Sequence, residues 1–207
     1  MREILKRTGI IGVGMLALFL VGCGGVEPEK RDYPMTLAFG HEDGSNYVIY
    51  GMANLNEVTE QGKGEQDTPE VLKIRGESMS EIHEEYAKTQ QYYLDLGHVQ
   101  AVIFDKSLLD DKESYGKIVE EMQGIPEIGK NAYVFRTTRL EEIMITGQEK
   151  EDSLGEYLRG MYENHMKIKK KGLTLEDLYY EWNNFGVISK IPTLNVKDGQ
   201  VVLCEDL

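Results

Sequence analysis

The chain has 207 residues, 41% of them hydrophobic and 29% charged, the balance of one globular domain of ordinary size. Its 23 Lys+Arg against 36 Asp+Glu give a net charge of −13, which excludes a nucleic-acid binder and adsorption to anionic lipid by charge. Two cysteines exclude a disulfide scaffold and a structural zinc site.

The chain opens as an export signal. Arg2, Lys6 and Arg7 form a positive segment, and 9–22 is a run of 14 uncharged, mostly apolar residues. That length suits a signal-peptide core and falls short of the about 20 residues of a membrane span. The run ends Leu20-Val21-Gly22-Cys23, which resembles the lipobox of bacterial lipoproteins. There the signal is cut before Cys and the thiol carries diacylglycerol, with palmitate-type acyl chains. Residues 1–22 are thus expected to be removed and Cys23 to be lipidated. Two or more acyl chains hold a protein stably at a membrane. Loss of 1–22 leaves 20 basic and 35 acidic residues, a net −15, so the anchored domain is repelled by anionic headgroups. A polar Gly/Pro-containing tether over 23–34 permits that stand-off.

The domain proper is expected over 35–207. Met35-Thr-Leu-Ala-Phe39, a His41-Glu-Asp-Gly-Ser45 turn and Tyr47-Val-Ile-Tyr50 predict a hairpin. Residues 57–69 read as a polar loop and 71–75 as a short strand. Ser78-Met-Ser-Glu81 fits a capping box opening a helix, along which Met79, Ile82, Tyr86 and Tyr93 recur at roughly helical spacing until Gly97. The almost wholly apolar 99–104 predicts a strand covered on both faces. A helix is expected over 108–122, broken near 111–114, then a strand over 132–135.

Thr138 is placed to cap a short helix running to Gly147. Leu154, Leu158, Met161, Tyr162, His165 and Met166 mark a longer helix, closed by basic residues 167–171, which complement a helix dipole. Thr174 opens another helix with Leu175, Leu178 and Trp182 facing inward. Thr193-Leu-Asn-Val-Lys197, Asp198-Gly199 and Gln200-Val-Val-Leu-Cys204 form a closing hairpin. The fold class is therefore α/β (α+β), a mixed β-sheet with helices packed on it and hairpins at both ends.

Catalytic constellations are incomplete. Gly76-Glu-Ser-Met-Ser80 ends in Ser where a nucleophile elbow needs Gly, and helix capping accounts for Ser78. No phosphate-binding glycine loop occurs outside the signal. His83-Glu-Glu lacks the second His of a zinc-protease helix. His41-Glu42-Asp43 offers donors to a cation, but an acidic turn is ordinarily just solvated. His98 reads as a hydrogen-bonding residue at a strand start and His165 as a core-edge residue. Asp110/Asp111, Glu120/Glu121 and Glu141/Glu142 are adjacent pairs whose side chains diverge on a helix. Cys204, ending an apolar strand, reads as a buried, unreactive thiol. Tyr86, Tyr92 and Tyr93 suit a binding floor or, more simply, helix-face packing. Catalytic, metal-binding and cofactor-binding residues are thus none, and Cys23 is the one assigned site.

Gly76-Glu77-Ser78, the helix after it, Leu96-Gly97-His98, the apolar 99–104 and Asp105-Lys106-Ser107-Leu108 together resemble the N-terminal domain of the Ger(x)C family of spore-germination lipoproteins, the C subunits of germinant receptors. Ala38-Phe39-Gly40, the segments 140–147 and 153–158, Thr174-Leu-Glu-Asp-Leu178, Pro192 and Asp198-Gly199 follow that family's order. Two departures limit the likeness. Gly24-Gly25 follows Cys23 where the family commonly has an aromatic and an acid, and the family's second half does not follow within the 207 residues. The resemblance implies a non-catalytic, lipid-anchored extracytoplasmic domain whose partners are membrane receptor subunits. The alternative is a surface lipoprotein that binds a small ligand through the 57–69 loop. A surface hydrolase is disfavoured.

Overall fold

The computed structural model describes residues 26–52, 72–151, 153–164, 172–187 and 190–204. The chain divides into two units, Met1–Lys30 and Arg31–Leu207. In the first, the described residues end in a 3-10 turn, Pro28–Lys30, with Lys30 Nζ 2.6 Å from Glu27. Cys23 and the expected signal 1–22 lie outside the described residues, as do residues 57–69, expected as a loop, His165 and the basic run 167–171.

The second unit is built on a seven-stranded mixed sheet. Its strands begin with β1 (Arg31–Asp32), β2 (Pro34–Glu42), β3 (Ser45–Met52) and β4 (Leu72–Gly76). They continue with β5 (Tyr93–Leu94), β6 (Ala101–Asp105), β7 (Tyr133–Thr137), β8 (Thr193–Lys197) and β9 (Gln200–Cys204). The sheet order is β4-β3-β2-β6-β7-β8-β9, and β1 pairs in parallel with β5 in a separate ribbon. The centre is parallel: Thr36 faces Ala101 and Ala101 faces Tyr133. Antiparallel hairpins flank it on both sides. Each hairpin turns on Asp-Gly with positive φ, 52° and 78° at Asp43-Gly44 and 52° and 71° at Asp198-Gly199. Both residues of such a two-residue turn need the left-handed region, which Asp tolerates and Gly adopts freely.

The central strands alternate between two cores. Leu37, Phe39, Val102, Phe104 and Val134 face one, and Ala38, Ala101, Ile103 and Phe135 the other. The first face is covered by α1 (Met79–Thr89), α2 (Lys106–Asp110), α3 (Lys112–Gln123) and α6 (Leu175–Phe185). The second is covered by α4 (Leu140–Lys150) and α5 (Leu154–Glu163). Helices on both faces explain why β6 reads as an uninterrupted apolar run.

Several local expectations are corrected. α1 ends at Thr89, so Tyr93 is not on its face but stands 53% exposed in β5. The Glu81 carboxylate accepts from the Glu77 N–H rather than closing a box on Ser78, whose Oγ does accept from the Glu81 N–H. Thr138 does not cap α4; Arg139 holds that position without a side-chain bond, and Thr137 Oγ1 accepts the Arg139 N–H. The helix runs past Gly147 to Lys150. Thr174 does form a full capping box, with Asp177. Cys204 is half-buried rather than buried, because β9 is the sheet's edge strand.

Candidate functional site

Most of the polar residues that could carry chemistry are engaged in holding the fold. Ser78 caps α1. His41 is held by Asn46 Oδ1, 2.8 Å from Nδ1, and its backbone N–H donates to Ser107 Oγ; Asp111 lies 4.0 Å from Nε2. Asp111 itself caps α3, accepting from the Glu113 and Ser114 amides and the Ser114 hydroxyl, and the Ser114 bonds hold its carboxyl below the ordinary aspartate value. Asp110 pairs with Lys106, Glu121 accepts the Met79 N–H at 2.7 Å, and Glu141 pairs with Lys73 at 2.7 Å. The adjacent carboxylates therefore diverge to different partners. Among the described residues no three His, Cys, Asp or Glu side chains cluster as metal ligands.

Tyr86, Tyr92 and Tyr93 come together although they do not share a helix face. They line a cleft of about 580 Å³ between the end of α1, the β5 segment and the loop after α3. Tyr86 reaches it from α1, while Gln90 ends that helix and turns Tyr92 and Tyr93 to the rim, 41% and 53% exposed. Leu94, Ile125 and Pro126 supply apolar wall. Sequence spacing could not show this convergence, because it depends on β5 pairing with β1.

Charged groups at the cleft are paired with one exception. Arg31 Nη1 lies 2.6 Å from Asp95 Oδ2, and the guanidinium stands 5.7 Å from the Tyr93 ring centroid. That hydrogen bond holds the Asp95 carboxyl below its ordinary value. The Tyr86 hydroxyl donates to Asp32, and burial first, then this bond, pushes its pKa up. His83 also lines the cleft; its Nε2 is buried without a hydrogen-bond partner, and burial pushes its pKa down. Glu127 is exposed and, among the described residues, makes no ion pair with a Lys or Arg.

Behind this cleft, Leu96–His98 forms a 3-10 turn. Asp95 caps it by accepting the Gly97 N–H at 3.0 Å, and the exposed His98 ring packs edge-on against Tyr33, centroids 4.8 Å apart. This Leu-Gly-His turn leads directly into β6. Residues 24–196 match the family described as the spore germination protein N-terminal domain. The chain belongs to this family. The family match begins one residue after Cys23 and takes in the cleft, the Leu-Gly-His turn, every helix named above and β8 as far as Val196. Comparisons with curated proteins and with solved structures give no match to this chain. Among the described residues of this spore germination domain, no helix is long and apolar enough to cross a membrane.

Proposed function

We propose that this chain is a lipid-anchored, extracytoplasmic and non-catalytic domain, similar to a germinant-receptor C subunit, that works by binding membrane protein partners. The observation that carries the reading is the family match over residues 24–196. Its start beside the Leu20-Val21-Gly22-Cys23 motif agrees with a mature protein that begins at a lipidated Cys23. A non-catalytic role is supported by the employment of Ser78, His41 and Asp111 in caps and turn bonds, which gives each of them an ordinary structural role. Under this reading residues 1–22 are the signal, the tether expected over 23–34 is shortened to the stretch before β1, and the remainder is one domain.

The test is affinity capture of the full-length chain from detergent-solubilised membranes, with the co-purifying proteins identified by mass. Multi-span receptor subunits are the expected catch. Recovery of a transporter permease in their place would overturn the reading in favour of a small-ligand-binding lipoprotein. The cleft of about 580 Å³ is the observation that favours this second reading, since ligand pockets commonly enclose about 300–1,000 Å³. The 57–69 loop expected to serve it lies outside the described residues.

A further inference from the structure

We propose that the cleft between α1, β5 and the loop after α3 binds a small organic cation, an ammonium group carried on an apolar or aromatic body. Its shape and chemistry are uneven in a specific way. One wall is apolar, from Leu94, Ile125 and Pro126, and the rim carries two exposed tyrosines, Tyr92 and Tyr93. The aromatic rim already holds a positive group, the Arg31 guanidinium 5.7 Å from the Tyr93 centroid, and cations are attracted to ring faces at such distances. Arg31 brings its own counter-ion in Asp95, so the pair adds no net charge. Among the described residues Glu127 makes no ion pair with a Lys or Arg. Among the described residues the remaining charge of the cleft is therefore one carboxylate in a lining that also carries exposed tyrosines, the complement of one further cation.

His83 supports the polarity of the site. Burial pushes its pKa down, against the opposing pull of the Glu127 carboxylate, and so works against a second positive charge in the cleft. A volume of about 580 Å³ has room for a molecule with a ring system. An anionic ligand would meet Glu127 with no unpaired cation to offset it. This inference does not depend on the identity of the membrane partners.

The experiment titrates the full-length lipoprotein in detergent micelles with tryptamine, with the neutral isostere tryptophol and with indole-3-propionate. Binding is read by calorimetry and by ligand-observed NMR. Micelle partitioning is common to all protein variants and is removed by comparing them. Tryptamine is expected to bind at least fivefold more tightly than tryptophol, with no binding of indole-3-propionate. Glu127→Gln is expected to abolish the preference for the amine, and Tyr92→Ala and Tyr93→Ala each to weaken tryptamine at least fivefold. Tyr180→Ala, at an exposed aromatic outside the cleft, should change nothing. Equal binding of the three probes, no binding of any, or tryptamine binding indifferent to Glu127 and both tyrosines would each overturn the proposal. Capture of receptor subunits would stand in any of those cases.

Discussion

Gly155, in the first turn of α5, lies directly against the backbone carbonyl of Met35 in β2, so that a β-carbon at this position would collide with main chain. The collision cannot be relieved by a side-chain rotation. Gly155→Ala is expected to lower stability by about 1–3 kcal/mol. Gly160, one and a half turns on, is the control. Its β-carbon would meet only the Asn164 side chain, at 3.2 Å, and Ala there gains up to about 1 kcal/mol of helix propensity. Thermal unfolding of the two variants should move in opposite directions. Equal effects would mean that α5 is free to lift from the sheet.

Val102 is fully buried in β6, with β2 on one side and β7 on the other. Val102→Asp places a carboxylate in the core between the sheet and α1, α3 and α6 with no cation to pair it. The cost of several kcal/mol is comparable with a domain's whole stability of about 5–15 kcal/mol. The variant should be unfolded by circular dichroism at room temperature. A near-native melting temperature would contradict the central placement of β6.

Two groups at the cleft set separate acid windows. Burial lowers the folded pKa of His83, so the unfolded chain takes up a proton first as pH falls below the ordinary value of 6.5. Its contribution is complete above that pH and is lost on going down. Asp95 is lowered by its hydrogen bond to Arg31, so its contribution is complete above the ordinary value of 3.8 and is lost as pH falls through the lower folded value. His83→Leu should flatten the melting-temperature profile just below pH 6.5 at no cost at pH 7, because the buried Nε2 has no bond to lose. Asp95→Asn should flatten only the part below about pH 4. A single window abolished by either variant would show that the cleft titrates as one unit.

Cys23 is expected to carry lipid. Metabolic labelling with a radioactive fatty acid should mark the wild type and leave Cys23→Ser unlabelled. Label on the Cys23→Ser protein, or wild type released free into the medium, would contradict the anchor.

The elements that the residues announce are those whose signals are local. Both hairpins are legible in their Asp-Gly pairs, because only a few residue types adopt the left-handed backbone that each turn requires. Thr174 and Asp177 sit at the spacing that closes a capping box, and they close it. The break at Asp111 is equally local, since its carboxylate bonds two amides of α3. The site was less legible. Tyr93 matches the period of α1, yet nothing in its neighbourhood reveals that Gln90 ends the helix and that Arg31 and Asp32 claim Tyr93 and Leu94 as strand partners. That pairing joins segments far apart in sequence, which periodicity cannot sense. At α4 the polar cap signal is displaced by one residue, from Thr138 to Thr137, because Thr137 Oγ1 takes the Arg139 amide.

The parallel pairing of Thr36 with Ala101 also orders events in time. In chain order β2, β3 and β4 form a three-stranded meander that precedes β6, the strand that lies beside β2. Leu37 and Phe39 on one face, and Ala38 and Ile49 on the other, are all fully buried at the end, so the waiting meander is apolar on both sides and has an open edge along β2. Non-local strand pairing is slow, and open apolar edges attract other chains. Until β6 pairs with β2, that edge is the part of the sheet most open to another strand.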